Sequence, residues 1–149
     1  MKEESLQIFV RGATDYFHMV TGVAAAVQTP YLQRDHTDLL DYSAVIGISG
    51  HHKGCVYFTA QEPLLAQVMG AVGETAVNDG LLFDMVGEIA NTISGNARRE
   101  LGGTFMISAP VLLEERPRRL SLPADLPSFI IPITWQDHRS NLVISLAAE

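Results

Sequence analysis

The spacing of apolar residues along the chain predicts three helices separated by short strands. Residues 4–22 carry apolar side chains at helical intervals and end at a glycine that can stop a helix. A second, short helix is predicted over 63–72, since proline is tolerated in a first helical turn. The third helix follows the cap residues at 78–80 and is expected to end at the glycine pair 102–103.

Short apolar runs bounded by turn residues predict the strands. These runs cover 23–27, 43–49, 54–60, 105–113, 129–135 and 142–146. Polar residues at 50–53 and 136–140 predict two hairpin turns. Residues 114–127 contain three prolines and predict a long connection.

One face of the third helix carries polar residues and a glycine, which makes it the most informative part of the chain. Angles around the helix axis are measured from Asp84 at about 100° per residue. Glu88 then lies at about 40°, Asn91 at about 340° and Gly95 at about 20°. Five apolar residues lie between about 100° and 200° on the opposite side, namely Leu82, Met85, Val86, Ile89 and Ile93. The pattern predicts that Asp84, Glu88, Asn91 and Gly95 face solvent together.

The residue types on this face suggest contact with a partner. A carboxylate such as Glu88 can bind a cation on another molecule, and a carboxamide such as Asn91 can hold a water molecule. Glycine inside a helix lowers helix stability by about 1 kcal/mol relative to alanine. The presence of Gly95 at this position therefore calls for an explanation. Its missing side chain would allow another surface to approach within one turn of Asn91. From spacing alone, an ordinary solvated helix face remains the alternative.

Composition and charge narrow the class of protein. A chain of 149 residues with 47% apolar and 18% charged residues is expected to fold as one globular domain, 1–149. The net charge of −7 argues against a nucleic-acid partner, because binding phosphates requires clustered Lys and Arg. The one dense basic run, 116–119, follows two glutamates and is expected to lie in a solvated loop.

The expected location is the cytoplasm. The single cysteine, Cys55, cannot form an internal disulfide, which fits a reducing compartment. The first residues lack the apolar core of a signal peptide, and no run of about 18 apolar residues predicts a membrane span. Cys55 itself is expected to pack in the sheet as a small apolar residue.

The first and third helices show a faint similarity. When 15–22 is aligned with 88–95, Asp15 corresponds to Glu88 and His18 to Asn91. An internal duplication and a chance match between two amphipathic helices both remain open. Asp15 and His18 are therefore either surface residues or a vestigial second site.

The segment GEIANTISGNA at 87–97, with Pro110 after it, resembles the CheC/CheX/FliY group of bacterial chemotaxis phosphatases, and the CheX-like members most closely. The resemblance implies an α/β (α+β) fold of CheC type, with helices packed on an antiparallel or mixed sheet. CheX-like members carry one E-x-x-N motif and form homodimers through their sheets. This chain has one intact motif, Glu88-x-x-Asn91, so the resemblance implies a CheX-like homodimer.

The resemblance also implies a function. The substrate would be the aspartyl phosphate of a CheY-type receiver domain, a response regulator that supplies its own Mg²⁺ and lysine. The phosphatase would need no metal or cofactor of its own. Asn91 would then position the attacking water and Glu88 would bind the receiver lysine, with Asp84 and Gly95 contacting the partner. The alternative is a non-catalytic module that docks on a response regulator or a motor component, or that only dimerises.

Other candidate residues have simpler interpretations. Asn96 lies near about 120°, toward the buried side, and is expected to tie the third helix to the sheet. The pair His51-His52 lacks further ligands at metal-binding spacing. For the dimer, the apolar runs 129–135 and 142–146 are candidate edge strands, although the sequence does not decide which strand lies at the edge.

Overall fold

All three predicted helices are present in the computed structural model, which describes residues 3–122 and 126–148. They are α1 (Glu3–Thr21), α2 (Glu62–Ala71) and α3 (Asp79–Leu101). Each boundary lies within one or two residues of its prediction. No helix in these two ranges is long and apolar enough to cross a membrane.

The described residues form ten strands, of which four are long. The strands are β1 (Ala26–Val27), β2 (Tyr31–Gln33), β3 (His36–Asp38), β4 (Tyr42–Gly50), β5 (His52–Ala60), β6 (Phe105–Ile107), β7 (Val111–Leu112), β8 (Arg119–Ser121), β9 (Ser128–Trp135) and β10 (His138–Ala148). Every described strand pair is antiparallel. The predicted α+β class is therefore confirmed.

The strand predictions are wrong in four places. Strands β2 and β3 lie outside every predicted run. The run 105–113 splits into β6 and β7, with Pro110 just before β7, because proline has no N–H for the ladder. The run 23–27 keeps only its last two residues as β1. Within the predicted connection 114–127, β8 pairs with β3 in a separate two-stranded sheet. Residues 123–125 of that connection lie outside the described residues.

Both predicted hairpins form, with turns shorter than expected. His51 alone separates β4 from β5. Two residues, Gln136 and Asp137, connect β9 to β10, and both have positive φ, at 50° and 63°. This backbone matches the twist of the adjoining strands, as in two-residue hairpin turns of type I′.

The order of the main sheet identifies its edges. The strands run β1-β9-β10-β5-β4-β6, with β2 also on β9 and β7 also on β4. The runs 129–135 and 142–146 lie within β9 and β10, which have neighbours on both sides. Their interpretation as edge strands is therefore wrong. The edges are β1 with β2 and β6 with β7.

The helices pack on one face of the sheet and share one core with it. Alternate residues of the long strands, such as Phe58 and Ile144, join residues of all three helices in that core. On the opposite face, Leu122 beside β8 covers Ile130 and Val143. Helix α3 contacts β4 and β5 and lies beside α1, so its outer face is left to solvent.

Candidate functional site

Helix α3 begins and ends at the predicted cap residues. The Asn78 side chain accepts a hydrogen bond from the Leu81 N–H at 2.9 Å, which satisfies a donor that the first turn leaves unpaired. Gly102 follows the last helical residue with a φ of 97°. Arg98 and Arg99 in the last turn complement the negative end of the helix dipole. The helix that carries the candidate site is therefore well defined.

The outer face of α3 has the predicted exposure. Asp84, Glu88 and Asn91 are exposed, and Gly95 is half-buried. A Cβ atom added at Gly95 would meet nothing within 4 Å. The five residues predicted to face inward are buried, namely Leu82, Met85, Val86, Ile89 and Ile93.

The side-chain groups of Glu88 and Asn91, here called the Glu88/Asn91 pair, are available to another molecule. No hydrogen bond or ion pair within the described ranges engages the side chain of Glu88 or Asn91. A free carboxylate and a free carboxamide one turn apart can accept and donate hydrogen bonds to a bound surface. The arrangement lies on an exposed helix rather than in a cleft, which suits a protein partner better than a small substrate.

Tyr16 of α1 borders the pair on one side. Its ring is buried, and its hydroxyl lies 3.9 Å from the Met85 sulfur on α3. Burial first, and then the negative charge of Glu88, raise the pKa of the Tyr16 phenol. The phenol therefore stays protonated beside Glu88.

Asn96 ties α3 to α1 and not to the sheet, which corrects the sequence-based expectation. Its amide donates to the Gly12 carbonyl oxygen at 3.4 Å and accepts from Arg99. A Cβ atom at Gly12 would lie 3.2 Å from the Ile93 carbonyl oxygen, so the two helix backbones approach closely there. The interhelical packing explains why a polar residue occupies the margin of the buried stripe.

Gly87 allows close packing on the other side of the pair, a role that the helical pattern did not predict. A Cβ atom at Gly87 would lie 2.8 Å from the Leu112 side chain and 3.7 Å from that of Pro110. The residue just before Glu88 thus lets α3 lie close against β7. The sequence signal for this close packing is a glycine in the interior of an amphipathic helix.

The first residue of α3 is fixed by groups that are distant in sequence. The Tyr42 hydroxyl donates to the Asp79 carboxylate at 2.5 Å, and Arg116 pairs with the same carboxylate. The Arg116 guanidinium lies 4.6 Å from the centre of the Tyr42 ring and 5.3 Å from that of Phe83. Arg116 lies in an exposed loop, as expected, and its cation–π contacts hold that loop against the start of α3.

These contacts change the ionisation of both acids. The Tyr42 hydrogen bond, followed by the Arg116 contacts, lowers the pKa of Asp79. Burial, and then the hydrogen bond to Asp79, raises the pKa of Tyr42 to about 12. Asp79 is therefore a fixed anion at the positive end of α3, where the helix dipole favours it.

The remaining candidates lie away from the pair or lack partners for chemistry. Asp15 and His18 are exposed on α1. His51 and His52 contact each other edge to face at 5.2 Å. Within the described ranges, no group of three or more His, Cys, Asp or Glu side chains is placed to hold a metal ion. Burial raises the pKa of the Cys55 thiol, so Cys55 is not an activated nucleophile.

The family of the protein follows from its sequence. The family model for the chemotaxis phosphatase CheX matches residues 42–134, more than half of the chain. The chain belongs to the CheX family. No curated protein matches its sequence.

Solved structures share the fold over nearly the whole chain. The chemotaxis protein CheX from a Desulfovibrio desulfuricans subspecies is 26% identical, with a TM-score of 0.82, covering 98% of this chain and 99% of that one. CheX from Vibrio vulnificus is 23% identical, with a TM-score of 0.83 and coverages of 97% and 99%. The CheX–CheY–BeF₃–Mg²⁺ complex from Borrelia burgdorferi contains a chain that is 17% identical, with a TM-score of 0.74 and coverages of 97% and 99%.

Proposed function

We propose that this chain hydrolyses the aspartyl phosphate of a CheY-type receiver domain, using Asn91 to position water and Glu88 to dock. The observation that carries the proposal is the unengaged Glu88/Asn91 pair exposed on α3 of a chain that belongs to the CheX phosphatase family. The Borrelia burgdorferi relative, solved as a complex with CheY, supports a receiver of this kind as partner.

The role proposed for Asn91 is positional. Hydrolysis of an acyl phosphate needs a water in line with the phosphorus atom and the leaving carboxylate oxygen. The amide oxygen of Asn91 can accept a hydrogen bond from that water, and its NH₂ group can make a second contact. A carboxamide is too weak a base to remove the proton, so its contribution is orientation of the nucleophile.

Glu88 is proposed to set the register of the complex. Its carboxylate is exposed and can pair with the lysine of a receiver. The Mg²⁺ that neutralises the phosphoryl oxygens would belong to the receiver, with no cofactor required from this chain. Asp84 and Gly95 extend the contact, because Gly95 presents open space one turn beyond Asn91.

The proposal is tested by measuring phosphate loss and docking separately. A receiver is phosphorylated, and its phosphate lifetime is followed with the wild type, with Asn91→Ala and without added protein. Binding of the receiver to each variant is measured in parallel. We expect the wild type to shorten the lifetime and Asn91→Ala to bind without shortening it.

Two results would overturn the catalytic proposal. Binding by the wild type with no change in phosphate lifetime would identify a non-catalytic docking module. A folded Asn91→Ala variant that matches the wild type in turnover would remove the role proposed for Asn91.

Assembly as a homodimer through the sheet is part of the same proposal. The available edges carry exposed apolar residues, with Tyr31 and Leu32 on β2 and Met106 and Val111 at the other edge. Such residues suit strand pairing with a second copy. Light scattering should give twice the chain mass of 16.3 kDa, and a clean monomer would contradict the dimer.

A further inference from the structure

The exposed face of α3 continues beyond the Glu88/Asn91 pair toward the end of the helix. At about 100° per residue from Asp84, Arg99 lies at about 60°, on the same side as Glu88 and about 12 Å further along the axis than Asn91. Its side chain is exposed. A protein interface buries about 800 Å² on each partner, which two neighbouring side chains cannot supply. A protein that docks on the pair is therefore expected to cover the turns of α3 on either side of it.

Arg99 is held in place by a neutral group. Its guanidinium donates to the Asn96 amide oxygen, and the Asn96 NH₂ donates to the Gly12 carbonyl oxygen of α1 at 3.4 Å. Long side chains on a helix lean toward its N-terminus, so this contact places the guanidinium over the turn that contains Gly95. The amide of Asn96 fixes the position of the cation without neutralising its charge.

The charge of Arg99 is left without a carboxylate partner among the described residues. Glu100, its neighbour in the chain, pairs with Arg11 at 3.2 Å. The preceding residue, Arg98, donates from its Nε to the Phe105 carbonyl oxygen at 3.0 Å and so turns toward β6. Arg99 therefore presents an unneutralised cation, with most of its N–H donors unused, on the face that carries the pair.

Space for a side chain of a docked protein lies next to Arg99. Arg99 borders a groove of about 300 Å³ between α1 and α3. Asp15 lies on the α1 side of this groove but forms no ion pair with Arg99. At Gly95, an added Cβ atom would meet nothing within 4 Å. A carboxylate of a docked protein can therefore reach the guanidinium without displacing an internal ion pair.

We propose that Arg99 binds a carboxylate on the receiver domain, so that α3 recognises a partner with a cation opposite Glu88 and an anion opposite Arg99. The inference rests on the proposed function, because its partner is the receiver docked on the Glu88/Asn91 pair. A receiver that holds Mg²⁺ beside its aspartyl phosphate carries acidic side chains in that region, since Mg²⁺ is bound by oxygen ligands. Two opposite charges in a fixed order along one helix select the partner and fix its orientation.

The proposal is tested by measuring how a receiver activated with BeF₃⁻ and Mg²⁺ binds to the wild type, Arg99→Gln and Arg99→Glu. We expect Arg99→Gln to weaken binding about threefold to fivefold, as for an exposed ion pair, and Arg99→Glu to weaken it about tenfold or more. Both losses should shrink at high ionic strength. The dephosphorylation rate at saturating receiver should stay that of the wild type, because Arg99 contacts no reacting atom.

Charge exchange identifies the contact on the receiver. Exposed Asp and Glu residues of the receiver are changed to Lys one at a time, and one of these variants should bind Arg99→Glu more tightly than it binds the wild type. Arg34→Gln is the matched control, because Arg34 is also an exposed arginine but follows β2 at the far edge of the sheet. Arg34→Gln should bind as the wild type does. Circular dichroism checks that each variant is folded.

The outcomes separate this inference from the proposed function. If Glu88→Ala weakens binding and neither Arg99 variant does, the role of Arg99 is overturned and the proposed function stands. Equal weakening by Arg34→Gln would reduce the effect to net charge and overturn the role of Arg99. A receiver on which no charge exchange restores binding to Arg99→Glu overturns it as well. A wild-type chain that binds no receiver overturns both.

Discussion

Helices α1 and α3 lie side by side and show that the spacing of two polar residues does not by itself indicate function. Both are long, both bury one stripe, and both expose an acid and a second polar residue three positions later. Asp15 and His18 on α1 have the same geometry as Glu88 and Asn91 on α3. The functional distinction must therefore come from residue type and from the surroundings of each pair.

The two helices differ at the glycine that follows each pair. Gly22, which aligns with Gly95, has a φ of 78° and donates its N–H to the His18 carbonyl oxygen at 2.9 Å. It ends α1, so His18 lies in a last helical turn. Gly95 lies inside α3, which continues to Leu101. Open space lies beside both glycines, but only α3 holds its pair in the middle of a helix.

The largest effect is expected from Asn91→Ala. If Asn91 orients the nucleophilic water, its loss should slow dephosphorylation of a bound receiver about 100-fold. Binding should change little, because the alanine removes no charge. The measurement is the single-turnover rate at saturating receiver. His18→Ala, at the corresponding position of α1, is the matched control and should leave that rate unchanged. Equal losses in both variants would mean that the α1 pair is a second working site.

A smaller effect, mainly on affinity, is expected from Glu88→Ala. Losing the charge contact with the receiver lysine should weaken docking about tenfold and reduce its salt dependence. The dissociation constant is measured at low and high ionic strength. Asp15→Ala removes the corresponding acid on α1 and should change neither quantity. If Glu88→Ala binds as the wild type does, Glu88 is an ordinary surface carboxylate.

The two glycines should respond to alanine in opposite directions. Gly95→Ala should raise the free energy of unfolding by about 1 kcal/mol, since helical backbone favours alanine and the new methyl group meets open space. Gly22→Ala should lower it by about 1 kcal/mol, because its positive φ strains an L-residue. Denaturant unfolding measures both.

Gly95→Ala also separates stability from function. If Gly95 exists to let the receiver approach, the more stable variant should bind the receiver more weakly. A gain in stability with unchanged binding would show that this glycine has no role in docking.

Local patterns predicted the candidate face well because an α-helix repeats every few residues. The cap at Asn78, the buried stripe and the exposed Glu88 and Asn91 depend on neighbours within two or three turns. The sequence also predicted the long hairpins, whose partners are adjacent in the chain. These features need no knowledge of distant contacts.

Contacts between distant segments could not be predicted in the same way. Arg116 reaches Asp79 across 37 positions, and nothing in the basic run 116–119 indicates an aromatic surface beneath it. The sheet edges depend on the order of all strands, so the apolar content of β9 and β10 suggested edges where there are none. The angle of Asn96 on the helix predicts that it lies at the margin of the buried stripe but not which element packs against it there.

The smallest expected effect concerns the start of α3, which is anchored by Tyr42 and Arg116. The Tyr42 hydroxyl and then Arg116 favour the ionised form of Asp79 and lower its pKa. Their contribution to stability is therefore present at neutral pH and is lost as the pH falls through the lowered pKa. Asp79→Asn should reduce the melting temperature slightly at pH 7. This gap in melting temperature between the variant and the wild type should disappear at acidic pH. Asp84→Asn, on the same helix, is the control and should show a smaller gap. A gap for Asp79→Asn that persists unchanged at low pH would mean that ionisation of Asp79 does not stabilise α3.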